Sequence, residues 1–260
     1  MFENGTVSTA IDTTTLSQTA SQRAFLRAEW RDLVMLNYIA PEELLAPLVP
    51  AGVEFDRWRG TLYVSVVGFL FRDTRVLGVP IPAHRTFPEV NLRFYVRRDV
   101  GGETRRGVVF VRELVPRRAI ASVARLLYNE PYLALPMRYA LARDGESGAF
   151  AREYAWRSSN EWTRLSARTI GPSRILESDS EEEFITEHYW GYTRQRDGGT
   201  VEYRVSHPRW NVWTATDARL EGDLARVYGN AFARVLAGPP RSAFVADGSP
   251  VVVYSPTGIR

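Results

Sequence analysis

The chain has 260 residues, of which 45% are hydrophobic and 24% charged, as in an ordinary folded globular protein. The absence of cysteine excludes disulfides, thiolate metal sites, iron–sulfur clusters and a cysteine nucleophile. The net charge is only +3, and the arginines alternate with acidic residues along most of the chain, which argues against a nucleic-acid partner.

The basic residues are unusual in one respect, because all 33 residues counted as lysine or arginine are arginine. Without a lysine ε-amine the protein cannot form an internal Schiff base. This excludes lysine-dependent pyridoxal phosphate enzymes, class I aldolases and phosphate-binding loops that use lysine.

The first 22 residues are rich in Thr and Ser and lack the basic start and apolar run of a signal peptide. They predict a flexible polar tail, followed by a single domain at 23–260. Charged residues interrupt every hydrophobic run before it reaches the roughly 18 residues of a membrane span. We therefore expect a cytoplasmic protein that does not associate with a membrane.

In chain order, the first predicted element is a short helix at 41–50, which begins and ends at proline and has acids in its first turn. The β-branched and aromatic run at 61–71 predicts a core strand covered on both faces. Helical spacing predicts helices at 120–128 and 223–236. Further strands are predicted at 138–142, 150–156, 184–194, 200–205 and 251–254. These elements indicate one mainly antiparallel α+β domain with few helices.

The strand predicted at 87–96 has one apolar and one polar face, since side chains alternate along a strand. The apolar face carries Val90, Leu92, Phe94 and Val96, and the polar face carries Glu89, Asn91, Arg93 and Tyr95. An acid, an amide, a guanidinium and a phenol can together hold a small polar ligand. A solvent-exposed polar face is the alternative.

The next predicted strand, at 107–115, contains Arg112 and Glu113 and ends in Pro116, Arg117 and Arg118 just before the predicted helix at 120–128. The start of a helix favours anionic side chains, so two adjacent arginines there require another partner, such as an anionic ligand.

These segments resemble a known family. Arg112-Glu113 followed by Pro116-Arg117-Arg118 is similar to the Arg-Glu…Pro-Lys-Lys signature of acetoacetate decarboxylase, whose first lysine forms a Schiff base with the oxoacid substrate. A longer resemblance, from residue 25 to residue 254, is to the bacterial YqjF-like domain of unknown function in the same superfamily. It is carried by residues 25–30, 48–50, 89–96, 124–125, 131–132, 137, 187–189 and 207–210. The resemblance implies an acetoacetate decarboxylase-like, cone-shaped β barrel with flanking helices around a small cavity, and a possible homo-oligomer.

The sequence departs from the decarboxylase pattern in two ways. Arg117-Arg118 replaces the two lysines, and the spacer before Pro116 is two residues shorter. Arginine stays protonated and cannot form the imine, so Schiff-base decarboxylation is excluded.

A cavity with these residues suggests an enzyme, a lyase or an isomerase, that acts on a small oxoacid or carbonyl compound without a cofactor. In this hypothesis Arg117 and Arg112 bind the anionic group and Glu89 or Glu113 transfers a proton. The expected catalytic residues are Glu89, Glu113 and Arg117, and the expected substrate-binding residues are Asn91, Arg93, Tyr95, Arg112 and Arg118.

Several alternatives remain open at this stage. The protein could bind an anionic or aromatic metabolite without catalysis, or its cavity could be filled and its role be assembly with a partner. Glu89 or Glu113 could instead form a structural ion pair with a neighbouring arginine. His84, His188 and His207 lack metal-ligand spacing, so no metal is expected, and each is either a core residue or a cavity residue. The glycine pairs lack the context of a nucleotide-binding loop, so no nucleotide cofactor is expected.

Overall fold

The computed structural model describes residues 23–80, 85–117, 129–143, 145 and 149–259. The predicted tail at 1–22, the predicted helix at 120–128, His84 and Arg118 lie outside the described residues. Fifteen strands are found in the described part of the chain. They are β1 (Ala24–Ile39), β2 (Glu54–Phe55), β3 (Tyr63–Val76), β4 (Val79–Pro80), β5 (Phe87–Val100), β6 (Glu103–Val115), β7 (Tyr132–Ala134), β8 (Met137–Arg143), β9 (Phe150–Arg157), β10 (Trp162–Ile175), β11 (Trp190–Arg194), β12 (Thr200–Ser206), β13 (Asn211–Glu221), β14 (Ser242–Tyr254) and β15 (Thr257–Ile259).

Among the described residues three α-helices lie between these strands, α1 (Glu42–Leu45), α2 (Glu181–Thr186) and α3 (Ala225–Leu236), and a 3₁₀ turn at Ala46–Leu48 follows α1. The helices predicted at 41–50 and 223–236 are confirmed. The strand predicted at 184–194 is wrong in its first part, because 184–186 belong to α2 and only Trp190–Arg194 is extended. The Ser180 hydroxyl caps α2 by accepting a hydrogen bond from the Glu183 N–H at 3.1 Å, so this Ser-x-x-Glu signal marks a helix start in the sequence.

The sheet is mostly antiparallel, as the sequence predicts, with neighbours in the order β15-β12-β11-β6-β5-β3-β1-β14-β13-β10-β9-β8. An additional pairing joins β12 to β14 through Val205 and Val253, so the pairings from β12 through β11, β6, β5, β3, β1 and β14 return to β12. A cone-shaped barrel requires such a circuit of strand pairings. That the strands form a closed cone stays a prediction. The segment from β8 to β10 and β13 continues the sheet beyond this circuit.

The central strands bury side chains on both faces, which explains why 61–71 is almost free of charge. In β3, Val64 and Val66 face one core and Val67 and Phe69 face the other. The first core also contains Tyr154 and Trp156 of β9 and the apolar side of α3. The second core lies within the circuit of strands and surrounds the cavity described below. In the described part of the chain, no helix has the length and apolar character needed to cross a membrane.

Gly248 marks a close approach between β14 and β1. Its φ is +78°, and a Cβ atom at this position would lie 2.0 Å from the carbonyl oxygen of Trp30. Gly248→Ala is therefore expected to destabilise the protein by about 3 kcal/mol, from steric overlap and backbone strain together. Urea unfolding, monitored by tryptophan fluorescence, measures this loss of unfolding free energy.

Gly78→Ala is the matched control, because Gly78 has a φ of +85° but open space around its Cβ position. Its free energy of unfolding is expected to fall by only about 1 kcal/mol, which is the cost of the left-handed backbone conformation alone. Equal losses in the two variants would contradict the role assigned to the contact with Trp30.

Candidate functional site

A cavity of about 220 Å³ lies within the circuit of strands. Aromatic rings line much of the cavity: Trp30 and Phe69 meet edge to face with ring centroids 5.4 Å apart, and Phe71 stacks on Phe87 at 4.7 Å. Polar side chains from β5, β6 and the segment before β7 also line it. The cavity therefore suits a small molecule with both apolar and polar groups.

Glu89, Asn91 and Arg93 of β5 form a polar row along one side of the cavity. They share a face because their positions differ by two, while Leu92 and its apolar neighbours pack into the opposite core. The Asn91 amide donates to the Glu89 carboxyl at 3.3 Å, and the Arg93 guanidinium donates to the backbone oxygen of Ile185 at 3.3 Å. Glu89 and Asn91 are buried, so this face of the strand is not the solvated face of the alternative interpretation.

Two further buried carboxyls, those of Glu113 and Glu130, lie beside Glu89. Pairing of β6 with β5 sets Glu113 opposite Asn91, and parallel pairing of β7 with β6 sets Tyr132 opposite Glu113. The Tyr132 hydroxyl donates to Glu89 at 3.2 Å. Three acids thus meet in the wall of the cavity.

Tyrosine and threonine hydroxyls hold Glu130. Its carboxyl accepts hydrogen bonds from the hydroxyl of Thr193 at 3.1 Å and from that of Tyr203. The Tyr203 ring covers Gly191, where a Cβ atom would lie 2.1 Å from the ring carbon Cζ. Glycine at 191 is therefore required to bring the Tyr203 hydroxyl to Glu130.

Burial opposes ionisation of Glu89 and Glu113. It raises the pKa of Glu89 to about 8; the charge of Glu130 adds to this rise, while hydrogen bonds from Asn91 and Tyr132 and the charge of Arg93 oppose it. Burial also raises the pKa of Glu113 well above its usual range, with contributions from the charge of Glu130 and a hydrogen bond to it. Each of these causes favours the protonated form of Glu113.

Several buried polar atoms of the cavity residues have no hydrogen-bond partner among the residues that the structure describes. They are Asn91 Oδ1, Arg93 Nε, Glu113 Oε2 and His188 Nδ1. An unsatisfied buried polar group costs free energy, so a ligand that pairs with these atoms gains affinity. Within the described residues, neither Glu89 nor Glu113 forms an ion pair with an arginine, which disfavours the structural ion pair considered above.

The structure does not bring all the expected residues together. Glu89, Asn91, Arg93 and Glu113 line the cavity. Arg112 lies opposite Leu92 in the sheet, so its side chain extends from the face away from Glu113, where its charge acts on Tyr228. Arg117 is exposed and is not among the described cavity residues, and Arg118 lies outside the described part of the chain.

Tyr95, expected to bind substrate, lies next to the cavity without lining it among the described residues. Its hydroxyl shares a hydrogen bond of 2.6 Å with Ser65, and its ring packs on the imidazole of His188 with centroids 4.7 Å apart. His188 and His207 both line the cavity, and His207 stacks on Trp210 at 4.3 Å. Among the described residues, no group of three or more His, Asp or Glu side chains is arranged to hold a metal ion.

Sequence reasoning missed Glu130 and Tyr203 and gave Tyr132 no role. Glu130 stands in a short connection with no periodicity, between Asn129 and Pro131, so nothing local separates it from a surface acid. Tyr203 belongs to a predicted strand, but its position opposite Glu130 depends on the pairing of β11 with β12.

Comparison with known proteins gives a family and a fold. The model of the family DUF2071, described as an uncharacterized conserved protein, matches residues 27–257. The chain is 27% identical over 200 residues to the uncharacterized protein YqjF of Bacillus subtilis (strain 168), which is 75% of this chain and 77% of that one.

Solved structures with the same fold include three enzymes. The enduracididine biosynthesis enzyme MppR, complexed with pyruvate, has a TM-score of 0.64 at 12% identity, covering 98% of each chain. The acetoacetate decarboxylase of Legionella pneumophila subsp. pneumophila str. Philadelphia 1 has a TM-score of 0.63 at 12% identity, covering 99% of this chain and 98% of that one. An acetoacetate decarboxylase-like enzyme from Sphingomonas wittichii RW1 has a TM-score of 0.60 at 15% identity, covering 96% and 99%.

Proposed function

We propose that this chain, which belongs to the DUF2071 family, is an enzyme that moves a proton at the carbon next to the carbonyl group of a small oxoacid. The observation that carries the proposal is the set of three buried carboxyls, Glu89, Glu113 and Glu130, near one arginine in a cavity lined by aromatic rings. Acids whose environments separate their pKa values supply both the base and the acid of such chemistry.

Arg93 is the proposed binding residue for the substrate carboxylate. Its Nε is buried without a partner among the described residues, and a guanidinium forms charge-assisted hydrogen bonds with a carboxylate. In this role Arg93 replaces Arg112 and Arg117, which lie elsewhere. Asn91 separates Arg93 from Glu89 along β5, so a short oxoacid held by Arg93 extends its carbonyl and adjacent carbon toward the carboxyls.

Glu89 is the proposed base. A carboxylate with a pKa of about 8 is a stronger base than an ordinary glutamate and still ionises near neutral pH. It removes the proton, the C–H electrons form the enolate, and neutral Glu113 donates a hydrogen bond to the enolate oxygen. Return of a proton from Glu89 to carbon completes the cycle. The chain's lack of lysine excludes a Schiff base in this reaction.

Deuterium exchange tests this proposal without knowledge of the final product. In D₂O the wild-type protein is expected to replace the C3 protons of pyruvate, 4-methyl-2-oxopentanoate or phenylpyruvate with deuterium faster than buffer does, as followed by proton NMR. Arg93→Met is expected to weaken binding of the same acid roughly tenfold to hundredfold, because a charge-assisted hydrogen bond is lost.

Arg168→Met is the control, since Arg168 lies on an exposed position of β10 and should leave exchange unchanged. Exchange at the buffer rate with all three acids would contradict the proposal. Binding of an acid without exchange would instead favour a non-catalytic binding protein for an anionic or aromatic metabolite. The aromatic rings that line the cavity favour this second function.

A further inference from the structure

His188 and Asp56 form a buried pair beside the cavity. Asp56 follows β2, and its N–H donates to the Tyr95 carbonyl at 3.1 Å, which fixes the aspartate next to β5. One carboxylate oxygen of Asp56 contacts His188 Nε2 at 3.0 Å and Arg106 Nε at 2.6 Å. The side chains of His188 and Asp56 are only 1% and 8% exposed, so the pair is shielded from water.

This contact fixes the tautomer of the imidazole. Burial opposes ionisation of Asp56, but the hydrogen bonds and charges of His188 and Arg106 outweigh it and lower the pKa of the aspartate. An ionised carboxylate only accepts hydrogen bonds, so His188 Nε2 carries the hydrogen. Burial, together with the charges of Arg106 and Arg93, lowers the pKa of His188 to about 4, although Asp56 opposes this. The imidazole is therefore neutral near pH 7, and Nδ1 has a free lone pair.

His188 Nδ1 is buried and has no partner among the described residues, and His188 lines the cavity. The rings of Tyr95 and Phe184 pack on the imidazole with centroids at 4.7 and 5.1 Å, so the side chain is held in place. The charged groups that act on it are Asp56, Arg106 and Arg93. A fixed, neutral acceptor thus stands near the guanidinium that we propose binds the substrate carboxylate.

We infer that His188 Nδ1 accepts a hydrogen bond from a hydroxyl group of the ligand, so that the cavity selects carboxylic acids that bear a hydroxyl over the same acids without one. The inference rests on the proposed binding of a small carboxylic acid by Arg93. A site with a buried acceptor discriminates strongly against ligands that leave the acceptor unpaired. Asp56 is a positioning residue in this scheme, because it acts through the tautomer of His188.

The test compares two acids that differ only by a hydroxyl, 3-phenyllactate and 3-phenylpropanoate, by calorimetric titration of the full-length protein. Wild type is expected to bind 3-phenyllactate at least tenfold more tightly. His188→Leu is expected to abolish this preference, so that the affinities for the two acids differ by less than about twofold. Equal binding of the two acids by wild type, binding of neither acid, or a preference that survives in His188→Leu would overturn the inference.

A second measurement does not depend on a variant that folds. Nitrogen-15 NMR of the wild-type imidazoles, of which the chain has only three, is expected to show one histidine with unprotonated Nδ1 from pH 5 to pH 9. In Asp56→Asn this signal should change, because an amide can donate to Nε2 and move the hydrogen to Nδ1, and the preference for the hydroxy acid should fall. A wild-type signal that changes in Asp56→Asn but comes from a protonated Nδ1 would assign the hydrogen of His188 to Nδ1 and overturn the inference.

The proposed function and the proposed preference for a hydroxyl can each fail without the other. Deuterium exchange uses oxoacids without a hydroxyl, so it can occur when the preference for a hydroxyl is absent. Conversely, a protein that only binds its ligand would show the preference and no exchange.

Discussion

Replacing Glu89 by Gln is expected to slow deuterium exchange at the carbon next to the oxoacid carbonyl by about 100-fold or more, the usual contribution of a general base. Glutamine has nearly the same shape. Its oxygen can keep the hydrogen bond from Asn91 and its NH2 can donate to the Tyr132 hydroxyl, but it cannot take up a proton. Binding of the oxoacid to Glu89→Gln should stay within a few-fold of wild type, because the carboxylate is held by Arg93.

The pH profile gives an independent check on this assignment. Because the base acts when ionised and the pKa of Glu89 is about 8, exchange by wild type should rise with pH up to about 8 and then level off. Glu161→Gln, at an exposed position, should keep both the rate and the profile. A profile that is flat from pH 6 to pH 9, or normal exchange in Glu89→Gln, would show that another group removes the proton.

The stability of the wild-type protein is expected to fall by about 4 kcal/mol between pH 5 and pH 9 through Glu89 alone, in the absence of ligand. The folded-state pKa is about 8, above the unfolded value of about 4.5. Between these values the unfolded chain releases a proton that the folded protein retains, so rising pH favours unfolding, and above 8 no further loss occurs. Glu113, whose pKa is also raised, acts in the same direction.

Comparison with Glu89→Gln isolates this contribution from those of other titrating groups. The variant should resemble wild type in stability at pH 5 and exceed it by about 4 kcal/mol at pH 9, since a neutral amide has no ionised form to bury. Urea unfolding at pH 5, 6, 7, 8 and 9 measures both proteins, with Glu161→Gln as the exposed control. A difference that does not grow with pH would mean that Glu89 is ionised at little cost in the folded protein.

The sequence alone determined the type of fold and the main strand of the site. Alternation at 87–96 placed Glu89, Asn91 and Arg93 on one face, and the resemblance to the YqjF-like family is confirmed by the family match. The period of a strand is a local property, so it can be read from the order of residues without knowing the partner strands. The composition likewise excluded a Schiff base, because the chain has no lysine.

The local sequence did not predict which arginine side chains enter the cavity. Arg112 and Glu113 are neighbours in sequence, but adjacent residues of a strand point to opposite faces, so only one of them can enter the cavity. Glu113 does so because its pairing partner in β5 is Asn91. In our proposal Arg93, which the sequence had already placed on the polar face, therefore takes the anion-binding role expected of Arg112 and Arg117.

Only the tertiary structure decided which distant residues share the cavity. Glu130 reaches Glu113 through the pairing of β7 with β6, and Tyr203 reaches Glu130 over Gly191. Asp56 and His188 are 132 positions apart in sequence and still form one hydrogen-bonded pair. Burial, which raises the pKa of Glu89 and lowers that of His188, is a property of the packed core, and no local sequence pattern determines it.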